Sequence, residues 1–209
     1  MATLALKRHL IISLIVVYVA IEVALQLSDL GLIGNERLRR TAYEYGGFWP
    51  GLLGNWRPNF DAQPFAMFVT YSFLHGGLIH LLVNIITLWS LSGPVVHRVG
   101  GRGFALLYGA SIIGGAMGYA AFDTGLLPMV GASGALFGLA GGLLAWSYVD
   151  RFTAHQGLWP VAQAVVMLIG LNFLLWWATS GQIAWQTHLG GFITGWLFAN
   201  LIDPRPSTA

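Results

Sequence analysis

Six stretches of mostly apolar residues, each close to the length of a membrane span, constrain this chain more than any other feature. They run at about Leu10–Leu30, Gly77–Val96, Phe104–Phe122, Ser133–Val149, Val161–Ala178 and Ala184–Ile202. A helix rises about 1.5 Å per residue and the hydrocarbon of a bilayer is about 30 Å thick, so about 20 residues suffice to cross it. Six such helices consume about 120 positions, leaving room for connections but not for an appended soluble domain. One membrane domain over residues 1–209 is expected. Alternating strand patterns are missing, which favours an all-α bundle over a β-barrel. Only 9% of the residues are charged, against about 25% in soluble domains. A soluble enzyme, a nucleic-acid binder and a disordered scaffold are thereby excluded. Cys is absent, which removes disulfides and thiolate chemistry.

Loop charges orient the spans. Lys7, Arg8, Arg98, Arg102, Arg151 and Arg205 fall on one side of a six-span arrangement. Arg37, Arg39, Arg40 and Arg57 fall on the other, all in one connection. Basic residues favour the cytoplasm, so both termini are expected there. Lys7 and Arg8 before an apolar run also fit a signal peptide, although the run is long for one and no A-x-A site follows. The long connection, about residues 31–74, carries Phe48, Trp49, Trp56, Phe60 and Phe65 among Gly and Pro, which suggests partial immersion at the membrane surface.

Polar groups in hydrocarbon cost several kcal/mol unless paired, so those inside spans are functional candidates. They are Glu22, His80, Asn84, Ser133, Asn172 and His188. Ser133 opens the fourth span after Gly131, where free N–H groups and the positive end of the helix favour an anion. An ordinary N-cap serine is the competing reading. Gly134, Gly138 and Gly142 repeat every four residues and permit a close helix partner. Gly191 and Gly195 lie within about 60° of His188 around the sixth span, so a glycine-faced helix can bring an imidazole to the serine. His188 alone also fits a buried interhelical hydrogen bond. His80 and Asn84 are four apart on one helix face and can donate to a developing negative charge, or simply join helices.

Rival chemistries fit less well. No H-E-x-x-H pair is present, and a metal site from His75, His80 and His188 requires His75 to lie off the helix. Asp29, Asp61, Asp123, Asp150 and Asp203 all fall in connections or at span ends. Paired intramembrane aspartates and a Ser-His-Asp triad both fail for that reason. If Ser133 is a nucleophile, it works in a Ser–His dyad; without an aspartate His188 would then depend on packing for its orientation, and Asn172 is read as an interhelical hydrogen bond. A small transporter using Glu22 or His188 lacks the expected inverted repeats. Glu22 is expected to be paired, with no assigned role. His9, His97 and His155 are expected near the cytoplasmic interface.

His75-x4-His80-x3-Asn84, Gly131-x-Ser133-Gly134 and His188-x2-Gly191-x3-Gly195 together resemble the motifs of the rhomboid intramembrane serine proteases. The resemblance covers about residues 70–203. It implies a six-helix rhomboid-like bundle whose long first loop lies in the outer membrane face, single-pass transmembrane proteins as substrates, the lipid bilayer as surroundings, and no cofactor. By that resemblance Ser133 is the nucleophile and His188 its general base. His80, Asn84 and the Ser133 N–H form an oxyanion hole, Phe137 sets an aromatic ring against the histidine, and Gly131 allows close substrate approach. His75, His80, Asn84 and Ser133 would line a water-filled cavity, with substrate access near Trp176 and Trp177. A bacterial-type inner membrane is expected. The family's common Trp-Arg pair before the first motif is replaced by Ala66-Met67, although Thr70 fits, and Trp56-Arg57 stands ten residues earlier. A non-catalytic rhomboid-like protein that binds transmembrane clients is the alternative.

Overall fold

The computed structural model describes residues 2–34, 37–122 and 125–203, with side chains in the first helix from residue 9 onward. Arg205 and Asp123, and the side chains of Lys7 and Arg8, lie outside the described residues. Among the described residues seven α-helices follow one another: α1 (Ala2–Asp29), α2 (Leu38–Gly46), α3 (Gln63–Thr70), α4 (Leu78–Phe122), α5 (Ser133–Thr153), α6 (Trp159–Ala178) and α7 (Trp185–Ile202). Three of them, α1 over His9–Asp29, α4 and α6, are long and apolar enough to cross a membrane. Among the described residues the only β pairing is an isolated antiparallel bridge, Phe48 with Met129.

Helix α4 covers two of the expected apolar runs in 45 residues, and its break falls at Gly100, with φ 73° and ψ 179°. That backbone conformation is readily available only to glycine. The break lets the second half of α4 turn back instead of extending the first.

The centre of the molecule is α4, α5 and α7, packed closely on one another. Glycine makes this possible. A Cβ on Gly191 would stand 2.0 Å from the Gly134 carbonyl oxygen, and one on Gly195 would stand 1.9 Å from that of Gly138. Small residues at these positions let two backbones touch, the usual device for helix association where no hydrophobic effect separates helix from lipid. Helix α1 lies against α4, where the Tyr18 and Tyr108 hydroxyls meet at 2.7 Å. Helix α6 sits outside, with Val161 as its one buried residue. Val166, Ile169, Phe173 and Trp177 face outward from it, as expected of a helix that is apolar all round and faces lipid.

The long first connection is structured. It holds α2, α3 and two short 3₁₀ turns, Pro50–Leu53 and Tyr71–Phe73. Arg39 of α2 ties it to α1. Its guanidinium donates to both Glu22 carboxylate oxygens at 2.8 and 3.1 Å, to Asp29, to the Tyr43 hydroxyl and to the His75 carbonyl. Glu22 is fully buried, so this bidentate pair is what permits a carboxylate inside the first span. The Ala66-Met67 departure has a packing account. Met67 is fully buried in the core, while Trp56 packs on Trp49 with ring centroids 6.0 Å apart and against Gly51.

At the far end, Arg98 joins three helices. It donates to Asp150 at the end of α5 at 2.6 Å and to Asp203 after α7 at 3.1 Å, and its guanidinium lies 5.3 Å from the Trp146 ring. The central helices are thus pinned at that end by charge and at the serine end by contacts described next.

Candidate active site

Ser133 is the first residue of α5, and Ala132 is its N-cap without any side-chain hydrogen bond. The serine is therefore not serving as a cap. Its Oγ instead lies 2.8 Å from His188 Nε2. His188 is one turn into α7 and nearly fully buried. The contact follows from the glycine seam, since Gly191, about one turn after His188, sits over Gly134, the residue that follows Ser133.

The segment leading into Ser133 is held on two sides. Phe48 and Met129 exchange backbone hydrogen bonds of 2.9 and 3.0 Å, and the Gly131 N–H donates to the Tyr71 carbonyl at 3.0 Å. The Tyr71 hydroxyl in turn donates to the Ile112 carbonyl of α4. Gly131 itself has φ 128°, and a Cβ there would stand 2.8 Å from His80 Cε1. Both the backbone angle and the crowding require glycine at this position.

His80, on the first turn of α4, accepts a hydrogen bond at Nδ1 from the Gly76 N–H at 3.1 Å. A neutral imidazole that accepts at Nδ1 carries its proton at Nε2, the nitrogen that lies over Gly131. Asn84 is buried one turn further along. Its Nδ2 donates to the His80 carbonyl at 2.8 Å, and its Oδ1 has no hydrogen-bond partner.

His75 departs from expectation. Its ring is fully buried rather than facing an open cavity, packed edge-on against Tyr18 at 5.3 Å and His80 at 5.4 Å. Its carbonyl accepts from Tyr43 and Arg39. Burial, together with the neighbouring His80, pushes the His75 imidazole down to about 3. Among the described residues no group of three or more His, Cys, Asp or Glu is placed to hold a metal ion.

Phe137 lies one turn after Ser133 and stacks on His188, with ring centroids 4.2 Å apart and planes 6° from parallel. Packing is not the only support for the histidine, and here the sequence reading needs correction. Asn172 of α6 places Oδ1 2.7 Å from His188 Nδ1. The interhelical hydrogen bond expected of Asn172 therefore ends on the imidazole itself. Comparable depth was the available signal: Asn172 stands six residues before the end of α6 and His188 three after the start of α7. Phe48 and Tyr71 were also unforeseen, because their contacts to the Ser133 segment are made through the backbone.

A serine hydroxyl held against a buried imidazole, within a bundle of apolar helices, defines a class: a multi-pass helical membrane protein with a serine–histidine contact in its interior. The family model for the rhomboid domain matches residues 62–205, and the chain belongs to the rhomboid family. It is 37% identical over 127 residues to the rhomboid protease GluP of Bacillus subtilis, covering 60% of this chain and 24% of that protein. It is 33% identical over 135 residues to RHOMBOID-like protein 4 of Arabidopsis thaliana, covering 65% of this chain and 33% of that one. Rhomboid protein 1, mitochondrial, of Saccharomyces cerevisiae is 30% identical over 141 residues, covering 61% of this chain and 39% of that protein. The chain thus spans well under half the length of each of these relatives.

Proposed function

We propose that this chain is an intramembrane serine endopeptidase that hydrolyses peptide bonds of single-pass transmembrane proteins near the outer membrane face. The 2.8 Å contact between Ser133 Oγ and His188 Nε2 carries the reading. His188 Nε2 takes the Ser133 proton as Oγ bonds to the scissile carbonyl carbon. The resulting oxyanion is met by the Ser133 N–H, His80 Nε2–H and the Asn84 amide. The C–N bond then breaks, the proton passes from His188 to the leaving amine, and water releases the acyl group by the same route in reverse. Gly131 leaves space beside the serine for the substrate backbone. A helical substrate must unwind locally, since its carbonyls are otherwise held in i to i−4 hydrogen bonds.

The accompanying topology is a single domain over 1–209 with six spans: α1, the two halves of α4, α5, α6 and α7. Its first loop over 31–74 rests in the outer face, and its catalytic core covers about 70–203. Both termini are cytoplasmic, in a bacterial-type inner membrane. The count of basic residues supports this orientation: Lys7, Arg8, Arg98, Arg102, Arg151 and Arg205 fall on the cytoplasmic side, against Arg37, Arg39, Arg40 and Arg57 on the outer connection.

The deciding measurement is cleavage of a labelled transmembrane substrate by purified protein in liposomes, beside Ser133→Ala and His188→Ala. Loss of product with both variants is expected. Undiminished cleavage by either removes the assignment, and an intact protein whose Ser133 resists a fluorophosphonate probe is instead a binder of transmembrane clients.

A further inference from the structure

We infer that Asn172 is a positioning residue for His188, fixing which imidazole nitrogen faces the serine and making the base dependent on the seating of α6. This rests on the Ser133–His188 reading above. An amide oxygen only accepts, so the 2.7 Å contact from Asn172 Oδ1 requires the proton on His188 Nδ1. The neutral ring then presents a bare Nε2 to Ser133 Oγ, 2.8 Å away. The opposite tautomer would donate to the serine instead of accepting from it. Once Nε2 takes the serine proton, the ring is a cation. The same oxygen then holds a charge-assisted hydrogen bond, stronger than the one it held before.

An amide suits the place. An aspartate on α6 would set a negative charge on a helix with a single buried residue, at a depth where ionised groups are costly. Asparagine supplies the acceptor with no net charge. Phe137 fixes the plane of the ring, since stacked faces at 4.2 Å resist tilting, but a stack is indifferent to which nitrogen is protonated. The tautomer is left to Asn172.

The location of Asn172 has a consequence. Helices α5 and α7 are locked by their glycine seam, whereas α6 packs sparsely on both. An outward movement of α6 separates Asn172 from His188 while Ser133 and His188 remain together. The base is then correctly oriented only while α6 is seated.

Three variants in purified full-length protein test this: Asn172→Leu, which keeps volume and removes the acceptor, Asn172→Asp, which keeps it, and Ser133→Ala as the inactive reference. Nitrogen NMR of ¹⁵N-histidine-labelled protein reads the His188 tautomer without requiring activity. The wild type should show Nδ1 protonated and Nε2 bare, and Asn172→Leu should lose that preference. For a labelled transmembrane substrate, Asn172→Leu should lower kcat about tenfold or more, about the effect of one hydrogen bond, with KM nearly unchanged. Asn172→Asp should recover part of kcat. A wild-type His188 protonated at Nε2 overturns the proposal, and so does wild-type kcat in Asn172→Leu. Equal losses in kcat and thermal stability with an unchanged tautomer also overturn it, by showing a merely structural role. If Asn172→Leu fails to fold, the wild-type tautomer and the Asn172→Asp rate decide alone. A wild type that shows the expected tautomer yet neither cleaves substrate nor labels Ser133 leaves Asn172 as the histidine's partner and removes the protease reading.

Discussion

Gly195 of α7 meets Gly138 of α5 so closely that a single added methyl group would fall 1.9 Å from the Gly138 carbonyl oxygen and 2.5 Å from its carbon. The obstructing atoms are backbone, which cannot rotate aside. Gly195→Ala must therefore separate the two helices that bring Ser133 and His188 together. A loss of about 1–3 kcal/mol in stability is expected, typical of an overpacked contact, together with loss of fluorophosphonate labelling at Ser133. Gly157→Ala is the control, because a Cβ there meets nothing within 4 Å. Thermal unfolding in detergent and labelling rates check both; unchanged labelling in Gly195→Ala would contradict the account.

Arg39→Ala leaves Glu22 fully buried without its bidentate partner. Removing one member of a buried ion pair costs about 3–5 kcal/mol. The loss here should be smaller, about 2 kcal/mol, because Arg39 reaches solvent. Asn or Gln at position 22 in the Arg39→Ala background should recover part of it. Denaturation midpoints of the two single variants and the double variant measure the coupling, and strict additivity would show the pair to be energetically idle.

His75 makes stability sensitive to acid. In the unfolded chain a histidine titrates near about 6.5, whereas in the folded protein burial holds His75 at about 3. Between those values the unfolded state binds the proton and the folded state does not. Stability is therefore complete above about pH 6.5 and falls as the pH drops toward 3, by up to about 1.4 kcal/mol per pH unit from this residue. The groups around it are Tyr18, His80 and, at its carbonyl, Arg39 and Tyr43. His75→Leu should flatten that acid loss. Unfolding temperatures at pH 7.5 and 4.5 decide it: equal losses in both proteins would assign the acid sensitivity elsewhere.

Phe137→Leu removes the ring stacked on His188 but keeps an apolar side chain of similar reach. Aromatic pairs contribute about 0.5–1.5 kcal/mol beyond their buried area, so serine labelling should slow about two- to tenfold. Phe137→Tyr keeps the stack and should stay near wild type. Labelling rates under identical detergent conditions compare the three proteins.

Much of this molecule was legible in its residues. The starts of α5, α6 and α7 fall within two residues of the positions expected from hydropathy, because a helix in an apolar medium must satisfy its backbone internally whatever its neighbours do. The glycine spacing of Gly134, Gly138, Gly191 and Gly195 likewise announced a close helix pair, since the absence of a side chain at every fourth position is a local property. What only the tertiary structure decided are the partners across that distance: Asn172 on the imidazole, Arg39 on Glu22, Tyr71 and Phe48 on the strand of chain before Ser133, and the burial of His75. Each joins positions well separated in the chain. Periodicity tells which face of a helix a residue occupies, but which residue meets it from another helix depends on the height and rotation at which the helices pack, and those are set by the whole bundle at once.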